Sequence, residues 1–200
     1  HWDHIGGNTF LADQLPGIAV FCGAEDRSRI DRVTRTVRDG ESFDLWGRQV
    51  QVLAVPGHTA GHVAYYVDHE QALFCGDTLF GLGCGRVFDG TVENLFQSIQ
   101  KLALLPDDTR VYCGHEYTRH NLNFALSLQA SHDGLRRKAL QVEELRAQGQ
   151  PTVPSTIGEE KHLNPFLRVR DPELKAALAM SDAEPLEVFA ELRWRKDQSR

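Results

Sequence analysis

Histidine and aspartate crowd the start of the chain, where His1, Asp3 and His4 stand in the run His1-Trp2-Asp3-His4. Three further clusters carry the same residue types: Gly57-His58-Thr59-Ala60-Gly61-His62, Gly76-Asp77-Thr78 and Gly114-His115-Glu116. Neutral imidazole nitrogens and carboxylate oxygens are ligands for zinc and similar divalent ions, at about 2.0–2.2 Å. Two such ions about 3.5–4 Å apart can hold a water between them and make it a nucleophile at neutral pH. Metal-assisted hydrolysis is the chemistry these residues point to. Each cluster alone is weak, because a single loop histidine is more often a surface or hydrogen-bonded residue. Four in order, three of them beside glycine and at the end of a strand-like run, make a set.

A sheet must position them. Residues 18–21, 49–55, 63–67, 72–74 and 111–113 are rich in β-formers and bounded by Gly, Pro or Asp, and they read as short strands. His58, Asp77 and His115 fall just past three of those runs, where rigid scaffolds carry chemistry on loops. After Thr91, the residues Val92, Leu95, Phe96, Ile99, Leu102 and Ala103 recur at helical spacing. Beyond Tyr117 the pattern is helical throughout: Leu122, Ala125 and Leu128 share a face, and Leu135, Ala139, Val142 and Leu145 repeat the period. Pro151 and Pro154 interrupt, Asn164-Pro165 marks a turn, and two shorter helices are expected over 172–180 and from 185 to about 194. The expected organisation is an α/β metal-bearing domain over 1–117 and a helical domain over 118–200.

Composition narrows the partners. A chain of 200 residues with 41% hydrophobic content can build a core in one or two domains. A net charge of −6 argues against nucleic acid, whose binders need a basic face. No run approaches the eighteen apolar residues of a membrane span. Cys22, Cys75, Cys84 and Cys113 form neither a C-x-x-C pair nor a disulfide framework, so free thiols in a reducing cytoplasm are expected. A monomer acting on a small molecule fits this profile. His69, His120, His132 and His162 have no partner cluster and are assigned no chemistry.

Taken in order, the clusters resemble the metallo-β-lactamase superfamily, whose signature is H-x-H-x-D-H followed by a distant His, an Asp and a last His. The resemblance implies an αββα sandwich. Because the chain begins at the second His of the signature, it also implies an N-terminally truncated fragment whose leading strands are missing. One metal would take the absent His, His1 and His58. The other would take Asp3, His4 and His115, with Asp77 bridging both; His62 lies outside the family's ligand pattern and is expected to hydrogen-bond beside the ligands. Asp77 and Asp3 are the catalytic carboxylates on this reading. Two zinc ions are the implied cofactors, with iron or manganese as alternatives, since His/Asp sites accept all three.

Three more segments select a branch. Gly83-Cys84-Gly85-Arg86 precedes Phe88-Asp89-Gly90-Thr91, the run Tyr112 to Thr118 reads Y-C-G-H-E-Y-T, and the C-terminus holds Asn164-Pro165-Phe166-Leu167-Arg168 and Arg193-Trp194-Arg195-Lys196-Asp197. Together they look like glyoxalase II, the hydroxyacylglutathione hydrolase family. That resemblance implies hydrolysis of S-D-lactoylglutathione to D-lactate and glutathione, a step of methylglyoxal detoxification. It places Arg86, Tyr117, Arg193 and Lys196 around the glutathione thioester. Glutathione carries two carboxylates, and Arg and Lys are suited to clamp them. The bland reading of Arg193 and Lys196 is a solvated basic helix end favoured by the helix dipole, and Arg195, outside the family pattern, stays with it. Phe88 stands where some members carry a Tyr. Two readings compete: a glutathione-persulfide dioxygenase with a single iron, which would share His58, Asp77 and His115 but which the helical tail disfavours, and a catalytically impaired metal-binding fragment.

Overall fold

The structure, a computed structural model, describes residues 1–199; Arg200, the end of the expected helical domain, lies outside them. The chain opens with helices α1 (Trp2–Ile5) and α2 (Asn8–Gln14), neither of which buries a residue. Strands β1 (Phe21–Gly23) and β2 (Arg35–Val37) pair in parallel. Of the strand expected over 18–21, only Phe21 joins a ladder. The Val20 N–H donates instead to Thr34 Oγ1 at 3.0 Å, so a side-chain hydroxyl takes the place of a strand partner.

β3 (Ser42–Leu45) and β4 (Arg48–Ala54) form a hairpin over Trp46-Gly47, both at positive φ (52° and 79°). Such turns match the twist of the flanking strands. The sequence hides β3 because a tryptophan, not Asn or Gly, occupies the first left-handed position. β5 (Val63–Val67), β6 (Ala72–Gly76), and the short β7 (Leu79–Phe80) and β8 (Gly83–Cys84) follow, then α3 (Val92–Leu102) and β9 (Arg110–Cys113). Thr91 caps α3 by accepting from the Asn94 N–H at 3.0 Å, and the helix buries Leu95, Ile99 and Leu102.

The helical half comprises α4 (Thr118–Leu128), α5 (Asp133–Ala147), α6 (Ile157–Leu163), α7 (Pro172–Ala177) and α8 (Pro185–Gln198), with a two-residue strand β10 (Ser155–Thr156) just before α6. The sequence reading omits α6. Its signal is Thr156-x-x-Glu159, in which Thr156 Oγ1 accepts from the Glu159 N–H at 3.1 Å, but the neighbouring prolines mask it.

The main sheet has the order β10-β9-β6-β5-β4-β3. β4 is antiparallel to β5 and β5 to β6, so β4 and β6 run the same way, and β9 is parallel to β6. The C-terminal ends of β4, β6 and β9 therefore share one edge of the sheet. One face of this sheet buries Leu53, Val55, Ala64, Leu73 and Val111 with Leu102 and Ile157. A second core joins Leu95 and Ile99 of α3 to Phe166, Val188, Phe189 and Leu192. Apolar packing is thus continuous across residue 117. Burying a Phe or Leu side chain contributes about 1.5–3 kcal/mol, so this shared core fixes α8 against the α/β half. No described helix is long and apolar enough to cross a membrane.

Candidate metal centre and its cleft

Because β4, β6 and β9 end on the same edge, the loops that follow them meet. His58, Asp77 and His115 sit on those loops, and α1 brings Asp3 and His4 to the same place with His1 just before it. One oxygen of Asp77, Oδ2, stands 3.4 Å from His4 Nε2, 3.5 Å from His58 Nε2 and 3.4 Å from His115 Nε2. Asp3 Oδ2 is 3.2 Å from His115 Nε2 and 3.7 Å from His4 Nε2. His1 Nδ1 lies 3.1 Å from His58 Nε2.

These spacings fit ligands around cations better than a hydrogen-bonded cluster. Hydrogen bonds between N–H and O are usually about 2.9–3.0 Å. Two ligand atoms each about 2.1 Å from one tetrahedral ion stand about 3.4 Å apart. The other Asp77 oxygen, Oδ1, is buried and accepts no hydrogen bond. A buried carboxylate oxygen without a donor is costly unless a cation compensates it. The donor set thus fits divalent metal, with Asp77 at its centre.

Neighbouring groups aim the ligands. His58 Nδ1 donates to the Arg86 carbonyl at 2.8 Å, which leaves the Nε2 lone pair facing His1 and Asp77. His62 is not part of the ligand cluster. Its Nε2 stands 3.3 Å from both the Cys75 carbonyl and the Asp77 amide, and burial, the largest cause, pushes its pKa down. Gly76, at φ 51°, turns the chain tightly from β6 into Asp77. Gly114 lies so close that a Cβ there would overlap Asp77 Oδ1 and come within 2.9 Å of His4 Cε1. Gly114→Ala is accordingly expected to displace the Asp77 carboxylate and lower metal content at least tenfold, on the order of losing a group that orients ligands, with elemental analysis as the check.

A cleft of about 440 Å³ opens over these residues. Tyr117 stacks on His115, with centroids 4.9 Å apart and planes 15° from parallel. Phe88 is exposed and meets His1 and His58 edge-on, at 4.8 and 5.2 Å. Arg86 is exposed, its Nε 3.5 Å from Asp197 Oδ1. Lys196 is buried, yet it lines the cleft and donates to the His120 carbonyl at 3.3 Å. Burial, with the nearby Arg193 and Arg86, lowers its pKa to about 8.

The structure brings Arg193 to the same wall of the cleft, where its guanidinium already has protein partners. Its Nη1 donates to the Cys84 carbonyl at 2.9 Å and the Gly85 carbonyl at 3.3 Å, and its Nη2 pairs with Asp197 at 3.0 Å. Nη1 is thus committed to the backbone beside Asp77 and Nη2 to a carboxylate, while the buried Nε has no partner. Arg195 turns away to Glu191 at 2.7 Å. His120 lines the cleft although its sequence context assigns it nothing; the available signal was its helical spacing from Tyr117. Away from the cleft, His132 caps α5 and His162 donates to the Gly158 carbonyl. All four cysteines are free, and Cys84 is buried beneath Arg193.

Comparison with known proteins identifies the family. Residues 1–115 match the family model of the metallo-beta-lactamase superfamily, and residues 116–199 match the hydroxyacylglutathione hydrolase C-terminus. A hydroxyacylglutathione hydrolase of Synechococcus sp. (strain JA-2-3B'a(2-13)) is 50% identical over 198 residues, which cover 99% of this chain and 78% of that protein. The chain belongs to the hydroxyacylglutathione hydrolase family.

Solved structures agree on the fold. ETHE1 from Myxococcus xanthus aligns at TM-score 0.60 with 23% identity, over 100% of this chain and 74% of that one. TTHA1623, solved in a di-iron-bound form, aligns at TM-score 0.55 with 26% identity, over 84% and 73%. The α/β half therefore has the metallo-β-lactamase fold, followed by the helical region of the hydrolase family, and the fold implies divalent metal binding.

Proposed function

We propose that the protein hydrolyses S-D-lactoylglutathione to D-lactate and glutathione, with residues 1–117 as the metal-bearing domain and 118–200 as the domain that completes the substrate cleft. The observation that carries this reading is one cleft holding both a cluster of histidines and carboxylates at metal-ligand spacing and three cationic side chains, Arg86, Arg193 and Lys196. His1, His58 and Asp77 would hold one ion, and Asp3, His4, His115 and Asp77 the other; Asp3, His4 and His115 offer donor atoms within 4.8 Å of one another. Zinc is the proposed metal, with iron, as in TTHA1623, or manganese as the alternatives.

When bound, the two ions supply a hydroxide at neutral pH and polarise the thioester carbonyl. The protein's own residues do the rest. Asp77 and Asp3 supply the negative charge that holds cations in the centre. His58, locked by Arg86, keeps its lone pair aimed inward. Arg86 and Lys196 attract glutathione carboxylates, and Tyr117 and Phe88 present aromatic faces between those cations and the centre. Free buried thiols and a net charge of −6 support a cytoplasmic monomer that acts on a small molecule rather than on nucleic acid.

The test is hydrolysis of lactoylglutathione by the metal-loaded protein, read as thiol release. Oxygen consumption with glutathione persulfide and no thiol release from lactoylglutathione would replace this reading with the dioxygenase.

Lys196 also sets a pH dependence. Around it stand Arg193, Arg86, Cys84 and Asp197, with the His120 carbonyl as its acceptor. A lysine is cationic below its pKa, so with a value of about 8 the charge is present at neutral pH and lost as pH rises through 8. The free enzyme's kcat/KM is therefore expected to fall over about pH 7–9, through a rising KM. Lys196→Arg should flatten that limb, because guanidinium stays charged. An unchanged limb in the Arg variant would assign the pH dependence to another group.

A further inference from the structure

Just before Arg86, residues 81–85 have little side-chain mass of their own: Gly81, Gly83 and Gly85 alternate with Leu82 and Cys84. Their backbone is held instead by buried polar side chains from the helical half. Asn121 Nδ2 donates to the Gly81 carbonyl at 3.1 Å. Glu160 Oε2 accepts from the Leu82 N–H at 2.9 Å. Asn164 Nδ2 donates to the Gly83 carbonyl at 3.0 Å and to Glu160 Oε2 at 2.8 Å. Arg193 holds the carbonyls of Cys84 and Gly85. Every residue from 81 to 85 is gripped by a side chain that lies beyond residue 117.

This segment seats the metal ligands. The Gly85 N–H donates to the Thr78 carbonyl at 3.1 Å, and a Cβ on Gly85 would overlap the Asp77 carbonyl and reach within 3.1 Å of His58 Nδ1. The next carbonyl, that of Arg86, fixes the His58 tautomer.

Glu160 is the costly member of the grip. It is fully buried, and its Oε1 has no hydrogen-bond partner. Burial pushes its pKa up to about 7. An apolar residue of similar volume would be cheaper for stability, so a function of the carboxyl group explains its presence better than packing does.

We propose that Glu160 is a positioning residue for the hydrolysis: from α6 it fixes Leu82 and Asn164, and through the 81–86 backbone it sets the seats of Asp77 and His58. It touches neither substrate nor metal. The claim rests on the hydrolase reading above only for its kinetic arm.

The test compares Glu160→Leu with Glu160→Gln, using bound cobalt(II) as a probe alongside kinetics. Leu keeps the volume and removes the acceptor; Gln keeps an acceptor toward the Leu82 N–H. In Glu160→Leu, the visible cobalt(II) spectrum is expected to shift and kcat to fall about 10–100-fold, the range for losing groups that orient metal ligands, while KM changes less than about threefold. Glu160→Gln should restore most of both. If the Leu variant fails to fold, Asn121→Ala, which releases Gly81 from the same grip, should show the spectral shift without substrate present.

A wild-type cobalt spectrum and kcat in folded Glu160→Leu would overturn the proposal, as would a Gln variant as impaired as the Leu variant, or an unshifted Asn121→Ala. Should the wild-type protein bind cobalt but leave lactoylglutathione intact, the substrate assignment fails and the spectra alone still decide Glu160.

Discussion

Asp77→Ala is expected to lose bound metal and thioester hydrolysis together. The carboxylate lies 3.4–3.5 Å from the Nε2 atoms of His4, His58 and His115, so its removal takes a negative ligand from the point where all three converge. What remains is a ring of imidazoles with Asp3 at its edge, which compensates cation charge far less. Losing a group that merely orients ligands costs about 10–100-fold, and losing a shared ligand should exceed the upper end of that range. Asp77→Asn should also fail, because the amide keeps the shape without the charge. His69→Ala provides the contrast: His69 is exposed beside Glu70, away from the cleft, and its loss should leave metal content and rate near wild type. Elemental analysis paired with thiol-release kinetics reads both quantities. A fully metallated, full-rate Asp77→Ala protein would remove Asp77 from the centre of the site.

Lys196→Ala and Arg193→Ala, three residues apart on α8, are expected to fail differently. Lys196 gives one donor to the His120 carbonyl and otherwise faces the cleft as a cation. A charge-assisted contact contributes about 1.5–3 kcal/mol, so Lys196→Ala should raise KM by roughly ten- to a hundredfold while sparing kcat and metal content. Arg193 is 4% exposed and spends its donors on the Cys84 and Gly85 carbonyls next to Asp77. Its removal leaves buried acceptors unpaired at about 1–3 kcal/mol each and frees the backbone that seats Asp77 and His58. Arg193→Ala should therefore lower kcat and metal content as well as binding. A thioester lacking the glutathione moiety separates the two cases. The Lys196 variant should hydrolyse it as well as wild type does, and the Arg193 variant should not. Equal behaviour of both variants on both substrates would show that α8 acts through one role.

The sequence by itself determined the candidate ligand types, their order and the strands that carry them. β4, β5, β6 and β9 are short β-rich runs bounded by turn residues, and α3 and α5 keep strong helical periods, so local pattern and tertiary outcome agree there. The short elements escaped because their local signals are weak: β3 depends on a tryptophan forced to positive φ, and α6 on a cap hidden among prolines. The family resemblance, carried by Y-C-G-H-E-Y-T and the basic C-terminal run, reached the substrate cleft.

Tertiary structure alone decided what each charged side chain spends its bonds on. Arg193 and Lys196 look interchangeable on one helix face, yet packing against residues 84–85 turns the first into a backbone strap and leaves the second as a cation whose pKa burial has lowered. Glu160 carries no motif at all. It matters because a glycine-rich segment 78 residues earlier in the chain folds over it and offers the Leu82 N–H. Long-range hydrogen bonds to backbone groups leave no periodicity in a sequence, since any residue's amide can serve. Only the folded chain shows which one does.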